Sequence, residues 1–255
     1  MSWRGVPAGD QTVSWLLPAA LAILYSYETP RSQIAFQFGS LLLILAAYWQ
    51  MAWLAQGFWP DWEARFQSWD VRLLHSLPAV PFAFGWFVAA WVQLCYSLLY
   101  VAPPVYLGAI YWSGAGRRAG YYLFTLFLGI LAADLILPHI PVRPPRIAFP
   151  DELHPAIVTA MGRWNLWVLD HVDISTSVFP SGHVAVAFSG AFGLLRALPK
   201  RRDLWLGAVL FAISVWAATI YSRFHYAADG AASLLVSLAA WRVSEIWVPA
   251  SEEAA

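Results

Sequence analysis

Phe179-Pro180-Ser181-Gly182-His183 is polar and small where its surroundings are greasy, and an apolar run from Val184 to Leu195 follows at once. Pro180 and Gly182 disfavour carrying an earlier helix through this point. Ser181 is a residue type that caps a new helix, whose first backbone N–H groups then face outward. A helix N-terminus with a hydroxyl and an imidazole beside it suits a phosphate-sized anion. Taken alone, the stretch reads equally well as an ordinary Pro-Ser-Gly turn, so its meaning rests on the rest of the chain.

The rest of the chain is that of a membrane protein. Of 255 residues, 60% are apolar and 12% charged, against about 25% charged in soluble domains. Long apolar runs and 16 Trp, a residue favoured at the membrane–water boundary, point the same way. The formal net charge is zero, and without a basic stripe nucleic acid is not an expected partner. The single Cys95 offers neither a disulfide framework nor metal-site spacing, so no metal or cofactor is expected. The first residues lack a basic segment leading to a small-residue cleavage site, so no cleaved signal peptide is expected.

Taken in order, Ile34–Ala55, Ala83–Val101, Gly120–Leu137, Val184–Leu198, Leu204–Tyr221 and Gly230–Val248 read as spans. The expected fold is therefore all-α: a polytopic membrane bundle of six core transmembrane helices, or seven if the short Val13–Tyr27 run also crosses. Residues 57–78 differ. Trp59, Trp62, Phe66, Trp69, Leu73 and Leu77 recur three and four apart, with Asp61, Glu63, Arg65, Asp70 and Arg72 between them. This predicts an amphipathic helix along the membrane surface, or else a connector packed on the bundle. Asp134 falls in the last turn of its span, where an isolated carboxylate is costly; a plain helix-end residue is the equal alternative. The chain divides into N-terminal membrane segments with the amphipathic helix (1–82), a catalytic membrane domain (83–248) and a short polar tail (249–255).

Arginine and lysine in the loops 113–118 and 199–203 place those loops in the cytoplasm. The proposed crossings then gather three distant polar stretches on the other face: the start of 138–182, the Ser181–His183 turn and the 222–229 join. Arg143, Arg146, Arg163 and Arg223 lie there too, against the charge rule. That is tolerable if they bind an anion.

The gathered residues form a chemical set. His225 and Asp229 are four apart, as on one helix face. A carboxylate there fixes the imidazole tautomer and leaves the other nitrogen for attack. His183 can serve as general acid. Arg143, Arg146 and Arg223 can neutralise a phosphoryl group and stabilise its oxygens, and Ser181 with the backbone at Gly182 can complete the cradle. Two histidines among arginines suit phosphoryl transfer better than metal binding, because the arginines repel a divalent cation.

These residues resemble the membrane-bound type 2 phosphatidic acid phosphatase superfamily, which shares its core with vanadium haloperoxidases. Pro180 to His183 matches the second family motif, Pro-Ser-Gly-His, and His225 to Asp229 matches the His-x-x-x-Asp that ends the third. The resemblance covers roughly residues 70–248 and implies that His225 is a nucleophile carrying a phosphohistidine. It likewise implies that Asp229 orients His225, that His183 protonates the leaving group, and that Ser181 and Gly182 hold phosphate oxygens. The first motif departs: Arg143-Pro144 fits its end, but Ile136 stands at the lysine position, and Thr219 stands where the third motif has its arginine. Arg146 and Arg223 are the candidate replacements. The Leu137–Arg146 region and Cys95–Tyr100 are similar in style to the inositol phosphorylceramide synthase-like branch.

The expected function is a lipid phosphate or pyrophosphate phosphatase acting through phosphohistidine at the non-cytoplasmic face. Two alternatives stand beside it: a phosphotransferase moving a phospho-headgroup to a lipid or sugar alcohol, and a non-catalytic lipid-binding or transport protein. The expected partner is a phosphorylated membrane lipid. The expected location is a bacterial inner membrane, with the site on the periplasmic or outer face.

Overall fold

The helices start where the sequence supplies a cap or a proline and stop where it supplies a break. The computed structural model describes residues 29–249 except 56, 77–84, 152–154, 156 and 175–176, and all regular structure among them is helical. Thr29 accepts from the Ser32 N–H at 3.1 Å and opens α1 (Pro30–Ser40), which continues through Leu41 into α2 (Leu42–Leu54). There follow α3 (Pro60–Ser76), α4 (Gly85–Leu98), α5 (Ala102–Trp112) and α6 (Ala119–Ile136), then a four-residue α7 (Pro145–Ala148) and α8 (Ala160–His171). The chain closes with α9 (Gly182–Ala197), α10 (Arg202–Tyr221) and α11 (Ala227–Trp247).

The centre of the bundle is α9, packed against α6, α10 and α11. Its buried face is built from small residues, among them Ala185, Ser189, Gly190, Ala191 and Gly193. Such residues let helix backbones approach closely. A Cβ on Gly193 would sit 2.8 Å from the Tyr122 carbonyl oxygen, and one on Gly129 of α6 would sit 1.9 Å from Ser189 Oγ. Ser189 Oγ donates instead to Ser237 Oγ of α11 at 2.9 Å. Leu107, Ile110, Tyr122, Leu126 and Leu194 fill the core at one end, each with no more than 1% exposed.

The expectation of six core spans, or seven, does not hold. Among the described residues only Pro30–Ala52, Gly116–His139 and Arg202–Tyr221 are long and apolar enough to cross a membrane. A fourth is reached only if Gly85–Leu98 and Ala102–Trp112, bent by 75°, count together. The physical reasons differ by helix. The α9 helix has 16 residues, or about 24 Å at 1.5 Å per residue, against a hydrocarbon core of about 30 Å. It is apolar because it fills the protein core. The α11 helix has 21 residues but carries Asp229, Arg242, Glu245 and three serines. Pro103 and Pro104 begin α5, where the missing N–H groups of proline favour a new helix over continuation of the old one. The Val13–Tyr27 run lies outside the described residues.

The amphipathic stretch does form a helix, α3, with Asp61, Arg65, Ser68 and Arg72 exposed but two of its carboxylates facing inward. Glu63, Phe66, Gln67 and Asp70 are buried, whereas Trp59, Trp69 and Leu73 are 40–48% exposed. Both buried carboxylates have partners. Glu63 takes a two-pronged hydrogen bond from the Arg143 guanidinium, Nε to Oε1 at 3.0 Å and Nη2 to Oε2 at 2.8 Å, and a third from the Arg143 N–H at 2.8 Å. Asp70 accepts from the Ala227 N–H at 3.0 Å, at the start of α11. The helix is thus fastened to the proline-rich loop and to the N-terminus of α11. Removing one partner strands Glu63, which is 2% exposed. Arg143→Met is expected to lower stability by about 2–3 kcal/mol, read by equilibrium unfolding in mixed micelles; an unchanged midpoint contradicts this fastening.

Candidate active site

His225 owes its position to the way α10 ends. Ser222 caps the helix, and Arg223 adopts φ 58°. The Phe224 N–H then bonds the Thr219 carbonyl at 2.9 Å, and the Arg223 N–H bonds the Ile220 carbonyl at 3.1 Å. These are the paired closing bonds of a Schellman turn, whose left-handed residue is usually glycine. An arginine there costs about 1–2 kcal/mol of backbone strain. Its side chain offsets that cost by donating through Nη2 to the carbonyls of Pro145 and Phe149, at 3.2 and 2.8 Å. Arg223 therefore braces the 145–149 segment.

Beyond this turn, Tyr226 and Asp229 cap α11 reciprocally, the Tyr226 N–H reaching Asp229 Oδ2 at 2.9 Å. His225 Nδ1 lies 3.0 Å from the Val178 carbonyl and 3.3 Å from Asp229 Oδ2. The Val178 carbonyl can only accept, so Nδ1 carries the proton and Nε2 keeps its lone pair. Asp229 itself is completely buried.

The Ser181 turn is locked to the same place. Ser181 caps α9, its Oγ accepting from the Val184 N–H at 3.3 Å. Its own N–H donates to the Asp229 carbonyl at 3.3 Å. Ser233 Oγ bonds the carbonyls of both Ser181 and Asp229 at 2.8 Å. His183, in the first turn of α9, consequently stands edge-on to His225 with ring centroids 5.6 Å apart. Ser181, Gly182, His183, His225 and Asp229 are therefore brought together.

The three arginines of the sequence expectation divide. Arg143 is bound to Glu63 and lies 4.0 Å above the Phe58 ring. Arg223 braces a loop. Arg146 is the one whose charge bears on both imidazoles. Its guanidinium is 3.7 Å from Asp170 and stacks over Phe224 at 5.7 Å. Its N–H bonds the Arg223 carbonyl at 3.2 Å. Arg146 and Arg223 also border a cavity of about 270 Å³ with Gln93 and Ser222, so arginine stands beside a space that could hold an anion.

Four further residues belong to the cluster. Tyr96 and Tyr100 hydroxyls lie 3.0 and 3.2 Å from His183 Nε2, and the Tyr96 ring stacks on the imidazole at 4.7 Å. Asp173 accepts from the Tyr48 hydroxyl. Tyr48, Tyr100, Asp173, Gly182 and His183 all border a mostly apolar cavity of about 260 Å³. The sequence marks Tyr96 and Tyr100 only through the Cys95–Tyr100 stretch. Nothing in it joins Tyr48 to Asp173, 125 positions apart.

Burial decides the charge states. It pushes His183 down to about 3 and His225 down to about 4, with Arg146 adding to both and Asp173 opposing the second. Asp229 is pushed well up by burial, opposed by the Tyr226 N–H, and Asp173 also rises. At neutral pH both imidazoles are uncharged. A bound anion favours the imidazolium and raises its pKa, so orthophosphate binding at pH 5–7 is expected to take up protons. Calorimetry in buffers of different ionisation enthalpy reads this, and the uptake is expected to shrink in His183→Ala. Proton release on binding contradicts the assignment.

The family model described as the PAP2 superfamily matches residues 67–243, which includes every residue of the cluster except Tyr48 and Glu63. No curated protein and no solved structure matches the chain.

Proposed function

Because the chain belongs to the PAP2 superfamily, we propose that it is a membrane hydrolase that removes phosphate from a phosphorylated lipid by way of a phosphohistidine at His225. One observation carries the reading. The His225 Nδ1 proton is held by the Val178 carbonyl and Asp229, which leaves Nε2 as a neutral, oriented nucleophile beside a second imidazole.

The steps balance as follows. His225 Nε2 attacks phosphorus, and the bond from phosphorus to the leaving lipid oxygen breaks. His183, charged by the approach of the phosphoryl dianion, gives that oxygen a proton. Neutral His183 then takes a proton from water as water attacks phosphorus, the bond from phosphorus to His225 Nε2 breaks, and phosphate leaves. Arg146 and the free N–H groups at the start of α9 stabilise the equatorial oxygens as charge shifts. Arg143 and Arg223 act at one remove in this scheme, as struts for the loops that carry Arg146 and Val178. Tyr96 and Tyr100 hold the His183 ring in place.

A second reading is favoured by the apolar cavity at His183. An alcohol sheltered there would replace water as acceptor, as in the inositol phosphorylceramide synthase-like branch. Purified protein given a short-chain phosphatidic acid or a polyprenyl diphosphate distinguishes the two. Inorganic phosphate released without added alcohol supports hydrolysis; a new phosphodiester formed only with alcohol supports transfer. His225→Ala is expected to abolish turnover in either case, and His183→Ala to lower it roughly 10²–10⁴-fold. Near-normal turnover by either variant in a folded sample sinks the scheme.

A further inference from the structure

The cavity at His183 contains a group that the phosphoryl chemistry leaves unused. One wall comes from α1 and α2, through Phe38, Leu41, Leu45 and Trp49, and Ile130 of α6 borders it too. The α1–α2 pair precedes the segment matched by the family model. Also in the wall is Asp134. It is 4% exposed, and its Oδ2 has no hydrogen-bond partner. An unpaired buried carboxylate oxygen carries the full cost of lost hydration. The neighbouring walls are apolar and offer a water few of the two to four partners it needs.

We infer that this cavity binds one aliphatic chain of the phosphorylated substrate, and that Asp134 selects a chain bearing a hydroxyl. The inference rests on the proposed reaction for the position of the phosphate. The volume of about 260 Å³ is of the order of one aliphatic chain, at about 30 Å³ for each group of water size. The chemistry of the polar contact follows from Asp134. A hydroxyl both donates and accepts, so it satisfies Oδ2 whether the carboxyl is ionised or protonated. A plain alkyl chain leaves that oxygen unpaired. Asp134 and His183 border the same cavity, so the phosphate lies at the histidines and a hydroxyl on the near part of the chain meets Asp134.

The test uses two inert ligands, dodecylphosphonate and 2-hydroxydodecylphosphonate, titrated by calorimetry into the purified full chain in nanodiscs. The native protein is expected to bind the hydroxylated compound about tenfold more tightly or better, the usual effect of a hydrogen bond to a charged group. Asp134→Leu is expected to bind the two alike by gaining affinity for the plain chain. Asp134→Asn, whose amide also donates and accepts, is expected to keep a preference. Equal affinity in the native protein, no binding of either ligand, or an undiminished preference in Asp134→Leu overturns the inference. The native-protein comparison stands even if Asp134→Leu does not fold. Because neither phosphonate is hydrolysed, failure here is separate from failure of the proposed reaction, which phosphate release reads.

Discussion

One proton, on Nδ1 of His225, organises the site. It is held between the Val178 carbonyl and the Asp229 carboxylate, and each holder depends on a different part of the chain. Val178 is tied to the proline-rich loop by its own N–H, which donates to the Val142 carbonyl at 3.0 Å. Asp229 is tied to α9 through Ser181 and Ser233. Arg143 and Glu63 fasten the proline-rich loop to α3, and Asp70 fastens α3 to α11. Loop, helix cap and surface helix therefore close a ring around a single imidazole.

The strain at Arg223 fits this arrangement. Glycine would adopt φ 58° freely, but it could not reach the carbonyls of Pro145 and Phe149. The chain accepts a local backbone cost in order to hold the segment that carries Arg146. The small residues of α9 serve a similar end. They let α6 and α11 approach closely, and that approach sets His183 5.6 Å from His225.

The sequence made part of this legible and hid the rest for physical reasons. Ser181 as a cap, the pairing of His225 with Asp229, and the meeting of the turn with the 222–229 join were readable, because caps and four-residue spacings are local rules. The number of spans was misread, because hydropathy cannot separate an apolar helix that faces lipid from one, like α9, that faces protein. The same limit explains α3. Its aromatic stripe was legible as amphipathic, but the carboxylates Glu63 and Asp70 turn inward to partners 80 and 157 residues away. The pairing of Tyr48 with Asp173 had no local signature at all. Arg143, Arg146 and Arg223 looked equivalent in sequence, and only their partners distinguish the strut from the charge that reaches the histidines.

The central claim is that His225 takes the phosphoryl group on Nε2. Rapid alkaline quench of the protein during turnover, followed by peptide mass spectrometry, measures it directly. The account predicts an acid-labile phosphoryl group on the peptide containing His225, formed and consumed at the rate of turnover and increased when His183 is replaced after its first proton transfer becomes unnecessary, as with a good leaving group. Turnover at full rate with no phosphoryl group on that peptide, or with the group on His183 instead, would contradict it.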